Sequence, residues 1–258
     1  MHKHLNNPLG FSQEENNSQP VHLPGAAGID EAGRGCLAGP VVAAAVLLPD
    51  FSGSFNGFSG LTDSKQLSEK ERLQFEKVIK ANSLAWSLGF VWPGEIDRTD
   101  ILRATFEAMS RAFASMLAMG AGGAAARPEI ILIDGNQAIP HAFLSKALQK
   151  WSFGEGDILP QQTVIKGDSR VLAIAAASVL AKTARDRLML RLDRKYPGFG
   201  FGQHKGYGTK FHLEAIKRLG VSPMHRCSFK GCRPEDLGGL SGKTAEKRAA
   251  EQNLLLPS

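Results

Sequence analysis

The sequence carries no pattern that predicts disulfides, membrane spans or a secretory leader. Its 258 residues hold three cysteines, Cys36, Cys227 and Cys232. An odd number at this spacing builds neither a disulfide framework nor a paired zinc site, and the H-x-C-x4-C arrangement of His225, Cys227 and Cys232 is not a usual zinc spacing. Free thiols in a reducing cytoplasm are expected. Nowhere do about twenty apolar residues run together, and Met1–Pro24, rich in Asn, Gln and His, lacks the apolar stretch of a signal peptide. The expectation is a cytoplasmic protein with no membrane contact. Acids are the minority charge, 25 Asp and Glu against 31 Lys and Arg, which gives a net charge of +6 and a pI near 9.3. That excess suits a polyanionic partner. No internal repeat is present, a monomer is expected, and 43% hydrophobic residues suffice for a sizeable core.

Residues 1–24 read as a disordered leader and 233–258, with Gly-Gly, Ser-Gly and the charged run Lys243–Arg248, as a flexible tail. Between them the patterning predicts strands near 26–31 and 40–48, a Gly/Ser/Phe-rich loop over 51–60, and a helix opened by the capping box of Ser68 and Glu71. Alternation over 83–91 predicts a third strand, so the first three should form an antiparallel meander. Asp100 can cap a helix whose apolar residues, Ile101 to Leu117, recur at helical spacing. The apolar run Ile130–Ile133 reads as a buried parallel strand. A short helix over 140–151, a strand over 162–166 and a long helix from Asp168 to about Arg194, closed by Pro197, follow.

Three of these strands end in acids: Asp30-Glu31, Asp134 before Gly135, and Asp168 after Gly167. In open α/β sheets the carboxyl ends of neighbouring parallel strands converge on one crevice. A cluster of carboxylates repels itself unless cations fill it, and hard oxygen ligands select Mg²⁺ or Mn²⁺. Two such ions are the standard device for displacing a leaving oxygen from a phosphodiester. Next to the first acids, Gly33-Arg34-Gly35 supplies a turn with uncovered N–H groups beside a guanidinium, which suits gripping a phosphate. The G-x-G-x-x-A spacing of Gly33, Gly35 and Ala38 also permits a dinucleotide fold, but the acids would repel a pyrophosphate and Pro40–Leu48 reads as a strand, not the helix that fold requires.

Several motifs in order carry a resemblance: Asp30-Glu31-Ala32-Gly33-Arg34-Gly35, Asp63-Ser64-Lys65, Ile133-Asp134-Gly135-Asn136, Lys166-Gly167-Asp168, Ala177–Lys182 with Arg185-Asp186, Gly206-Tyr207-Gly208-Thr209 and His225–Phe229. Over about residues 25–232 the sequence resembles ribonuclease HII of the RNase H-like superfamily. The resemblance implies an α/β RNase H-like catalytic domain, with a five-stranded mixed sheet flanked by helices and a C-terminal helical segment from about Lys210. It implies that Asp30, Glu31, Asp134 and Asp168 hold two divalent ions, Mn²⁺ or Mg²⁺. It further implies cleavage of RNA in RNA–DNA hybrids and at single ribonucleotides in duplex DNA, on the 5′ side of the ribonucleotide, leaving 3′-hydroxyl and 5′-phosphate ends. The sister family, ribonuclease HIII, carries a substantial extra N-terminal domain, for which the stretch before Asp30 is short.

Within that resemblance Tyr207, a ring on a Gly-flanked backbone, joins Gly33, Arg34 and Gly35 in recognising the 2′-hydroxyl at the junction. Ser178, Lys182 and Arg185 fall at i, i+4 and i+7 of the long helix and are expected to contact phosphates, with Lys65 and Lys166. Cys227 stands where the family often has a basic or polar residue. Two other classes share some features: an RNase H-like nuclease acting on DNA, which would have no use for a 2′-hydroxyl reader, and a non-catalytic nucleic-acid binder, in which strand-end acids would only weaken binding. In the tail, Gln252–Leu256 loosely resembles the Gln-plus-apolar peptides with which DNA-repair proteins dock on a sliding clamp.

Overall fold

The computed structural model describes residues 20–51, 56–120 and 127–237; residues 1–19 of the expected leader and 238–258 of the expected tail, Gln252–Leu256 included, lie outside them. Its centre is one sheet in the order β3-β2-β1-β4-β5. β1 (Ala26–Ala32), β2 (Val41–Leu47) and β3 (Ala85–Val91) form the expected antiparallel meander, whereas β4 (Ile130–Asp134) runs parallel to β1 and β5 (Gln161–Val164) parallel to β4.

Alternation along the strands divides the core into two layers. Ala27, Ile29, Ala43, Ala45, Ile131 and Ile133 pack with α3 (Ile101–Gly120) and α4 (His141–Gln149). Ala44, Val46 and Leu132 point the other way, to α1 (Glu69–Asn82) and α5 (Leu172–Lys195). Asp100 Oδ1 accepts from Arg103 N at 2.8 Å as a cap on α3, and the Ser68–Glu71 capping box opens α1. A short helix, α2 (Pro93–Arg98), precedes α3. Beyond α5, α6 (Phe201–His204) and α7 (Lys210–Leu219) build the C-terminal segment around Phe199, Phe201 and Met224.

Each layer rests on a strand glycine. A Cβ on Gly28 would lie 2.2 Å from the carbonyl carbon of Ala173 in α5, and one on Gly89 2.0 Å from the carbonyl oxygen of Ala108 in α3. Backbone therefore meets backbone at both crossings.

The long helix differs from expectation at its start. Asp168 sits in a 3-10 turn, Gly167–Ser169, and α5 begins at Leu172 after an extended Val171. The cause lies in the segment read as leader: Val21 pairs with Val171, Val21 N donating to Arg170 O at 2.8 Å and Leu172 N to Val21 O at 2.9 Å. The first amide of α5 is thus satisfied by another strand, and no side-chain cap is needed. β5 also stops short, because Lys166 is left-handed (φ 55°). At the other end Leu237, in the turn Pro234–Leu237 within the expected tail, is buried. No disulfide joins Cys36, Cys227 and Cys232 among the described residues.

Gly28→Ala drives a methyl into α5 backbone and is expected to cost about 3 kcal/mol or more, the upper end of overpacking losses. Gly35 has open space around its Cβ position, so Gly35→Ala is expected to stay within about 0.5 kcal/mol of the parent. Urea denaturation followed by circular dichroism checks both.

Candidate active site

β1 and β4 run side by side with Ile29 paired to Ile133. The next residue on each strand is an acid, Asp30 and Asp134, so two carboxylates stand on adjacent parallel strands and on the face that α5 covers. β5 brings the third: Asp134 pairs with Val164, and the chain turns through left-handed Lys166 to place Gly167 N 2.7 Å from Asp134 Oδ1, as donor. Asp168 follows. Glu31 lies one residue beyond Asp30, whose Oδ1 accepts from the Glu31 amide at 2.7 Å. The structure thus gathers Asp30, Glu31, Asp134 and Asp168 at one end of the sheet.

Their electrostatics match the crowding. Asp30 is buried, and burial together with the charges of Glu31 and Asp134 pushes its carboxyl well above the usual carboxylate range. Burial also raises Glu31, opposed by Arg34, whose Nη1 lies 3.3 Å from Glu31 Oε1. Asp168 is raised to about 6 by burial and by its neighbours Asp134 and Asp63. Lys65 responds in the opposite sense: burial pulls its ammonium down, but Asp63, Asp168, Asp30 and Asp134 outweigh it and hold the pKa above normal. Carboxyls that retain protons against their nature are the mark of a site short of positive charge. Among the described residues no three His, Cys, Asp or Glu side chains form a ready-made ligand set. The donors are nonetheless all carboxylate oxygens, the chemistry that suits a hard divalent ion, and their mutual repulsion is what such an ion would relieve.

Asp63 is a site residue that the sequence reading left unused. Its carboxyl is hydrogen-bonded to Asp168 and accepts from Lys65 N at 2.9 Å. The signal was available, since Asp63 opens the Asp63-Ser64-Lys65 motif. Ser64 is buried, with its hydroxyl 2.9 Å from that of Ser178, which is in turn hydrogen-bonded to Asp30.

The expected phosphate-facing stripe on α5 divides. Lys182 reaches the surface and pairs with Asp186 at 2.8 Å. Ser178 is 5% exposed and Arg185 1% exposed, so both side chains face the protein interior, where α5 is packed against the sheet. Arg185 donates to three backbone carbonyls, Pro40 O, Lys205 O and Ala38 O, at 3.0, 2.8 and 3.0 Å. Beside it lies Arg226, another residue that the sequence reading left without a role. It is fully buried and donates to Gly33 O, Arg34 O and Gly39 O at 2.7–3.1 Å. Gly33 needs its glycine for two reasons, a φ of +95° and an Arg185 Nε that a Cβ would approach to 2.0 Å. Cys227 N and Ser228 N both donate to the Asp97 carboxylate at 2.9 Å, so the Cys227 backbone anchors this turn whatever its side chain.

Arg34, Gly35, Lys65 and Lys166 are exposed around the acids. Tyr207 is 46% exposed; burial of the remainder and a hydrogen bond to the Cys36 thiol raise its phenol pKa. Its backbone is fixed from below. His225 Nδ1 accepts from Ser222 N at 2.8 Å, so the His225 proton is on Nε2 and is donated to His212 Nε2 at 3.0 Å; His212 Nδ1 then donates to Tyr207 O at 2.8 Å. Burial lowers the His212 pKa to about 4, so its ring is neutral.

The ribonuclease HII family model matches residues 27–232. Ribonuclease HII of Oleidesulfovibrio alaskensis is 48% identical over 238 residues, 88% of this chain and 84% of the relative. In the solved PCNA:RNase HII complex from Archaeoglobus fulgidus the matching chain is 28% identical with a TM-score of 0.58, over 80% of this chain and 95% of that one. Bst-RNase HIII, solved in complex with Mn²⁺, shares the fold at 21% identity and a TM-score of 0.58, over 88% of this chain and 69% of its own. An acid-ended mixed sheet, the motifs set around it and a match spanning nearly the whole described core together show that the chain belongs to the ribonuclease HII family of metal-dependent endonucleases.

Proposed function

We propose that the chain hydrolyses RNA in RNA–DNA hybrids and at single ribonucleotides embedded in duplex DNA, using two divalent ions, Mn²⁺ or Mg²⁺, held by Asp30, Glu31, Asp134 and Asp168. The observation that carries this reading is the convergence of these acids, three of them with raised pKa, beside a half-exposed tyrosine and an exposed arginine turn. The ions, when bound, supply an activated water and neutralise charge on the leaving O3′. The rest falls to side chains and backbone. Asp30, anchored by Ser178 and the Glu31 amide, and Asp134, anchored by Gly167 N, present their remaining oxygens at the strand ends. Arg34 and the amides of Gly33-Arg34-Gly35 bind the phosphate, and Lys65, Lys166 and Lys182 contact flanking phosphates as point charges. Tyr207 stacks on the sugar at the junction and, with the turn, reads the 2′-hydroxyl. Cleavage leaves 3′-hydroxyl and 5′-phosphate ends, with no covalent enzyme intermediate. A nuclease indifferent to ribose would have no use for Tyr207 in this position.

The archaeal homologue's complex with PCNA supports a sliding clamp as partner, and Gln252–Leu256 is the segment assigned to it. A peptide of residues 246–258 is expected to bind the cognate clamp with micromolar affinity by fluorescence polarisation, and Leu255→Ala with Leu256→Ala to abolish that binding. Absence of binding into the high micromolar range removes the assignment.

Asp134→Asn is expected to lower cleavage of a duplex carrying one embedded ribonucleotide by at least about a thousandfold in Mg²⁺, because ion placement is worth several kcal/mol at the transition state. Binding of the same duplex should survive. Undiminished cleavage contradicts the assignment of the acids.

The pH dependence follows from Asp168. Its folded pKa of about 6 exceeds the ordinary 3.8, so the metal-free folded state holds the proton more tightly than the unfolded state between these values. This contribution to stability is complete below pH 4 and lost as pH rises through 6. In EDTA, Asp168→Asn is therefore expected to melt above the parent at pH 7.5, with the gap closing towards pH 4. Mn²⁺ should raise the parent's Tm more than the variant's.

A further inference from the structure

The chemistry above uses neither Arg185 nor Arg226, yet both are buried against the elements that recognise substrate. Burying one guanidinium is costly, and burying two side by side is more so unless every N–H finds a partner. Here the partners are backbone carbonyls. Arg226 gathers Gly33 O, Arg34 O and Gly39 O; Arg185 gathers Ala38 O and Pro40 O and reaches across to Lys205 O. The Gly33–Pro40 segment and the backbone leading into Tyr207 thus share one rigid fork. Leu37 N and Ala38 N close the seam by donating to Gly206 O at 2.8 and 3.3 Å.

Peptide planarity gives this arrangement a consequence. Where the carbonyls of Gly33 and Arg34 are drawn inward, the N–H groups of Arg34 and Gly35 in the same peptide units point the opposite way. That is the exposed side of the turn, where a phosphate or a 2′-oxygen can accept from them. We propose that Arg185 and Arg226 form a buried clasp that aims the amides of the Gly33-Arg34-Gly35 turn outward and fixes Tyr207 at a set distance from them, so that one ribose is read by both. They are positioning residues, and neither touches the substrate. Burial and the proximity of Arg185 lower the Arg226 pKa to about 10, so the charge persists at neutral pH and lies behind the phosphate site. The inference rests on the reading of Tyr207 given above.

A double-mutant cycle separates a clasp from a strut. Kinetics of Arg185→Lys, Tyr207→Ala and the double variant are measured on duplex DNA with one embedded ribonucleotide, normalised to folded protein. Lysine keeps the charge and loses the fork. Tyr207→Ala alone is expected to lower kcat/KM about 5- to 150-fold, the stacking range for one base. Arg185→Lys should lower kcat with little change in KM, and the double variant should lose at least about threefold less than the product of the single losses. Losses that multiply overturn the clasp and leave the role of Tyr207 intact. An unaffected Tyr207→Ala overturns both. Should Arg185→Lys not fold, Gly206→Ala takes its place, because its Cβ would lie 2.4 Å from Ala38 O and prise open the same seam from the Tyr207 side.

Discussion

The catalytic end of this molecule depends on the missing side chain at Gly28. Because α5 rests directly on the β1 backbone there, with no room for a Cβ between them, the helix follows the strand closely towards its carboxyl end. Each later contact inherits that register. Ala173 meets Gly28, Ser178 meets Asp30, and Arg185 meets Gly33. One rigid rod therefore carries the support for Asp30 and the support for the Gly33-Arg34-Gly35 turn. A shift of α5 by even a fraction of a turn would uncouple them, and the dense Ala packing of its first half leaves no slack for such a shift.

Asp30 and Asp134 are held in this arrangement by the groups set against them. Ser178, the Glu31 amide and Gly167 N each satisfy a lone pair on one side of a carboxylate and leave the other side towards the crevice. Lys65 and Arg34 supply partial compensation from the surface, where side chains can swing away. The protein thereby keeps negative potential concentrated in one spot of a chain whose net charge is +6, a distribution that draws cations inward and a polyanion to the rim.

What was legible in the sequence was whatever is encoded locally. The meander, the buried β4, the capping box at Ser68 and the acids at the ends of β1 and β4 all follow from periodicity and from residue type at an element boundary. What failed were inferences that needed a third element. Asp168 reads as the start of a helix until Val21, far off in sequence, pairs with Val171 and satisfies the first amide of α5. Arg185 shares a helical face with Lys182 on paper, but α5 is buried on most sides, so the i, i+7 rule places the two on one stripe without saying which part of it reaches water. Asp63 was visible as part of a motif, yet nothing local showed that it leans on Asp168.

The two kinds of arginine here differ by what they bond, and that difference has a physical origin. Arg34 is exposed and faces a carboxylate, an interaction screened by solvent and easily exchanged for a phosphate. The hydrogen bonds of Arg185 and Arg226 go to neutral backbone carbonyls, which hold geometry without pairing the charge. An ion pair in their place would fix the turn equally well but would extinguish the positive field behind it, and an apolar pair would leave the turn's inward carbonyls unsatisfied. Buried guanidiniums on carbonyls do both tasks: they hold the turn's carbonyls inward and keep a positive charge behind the Gly33-Arg34-Gly35 turn.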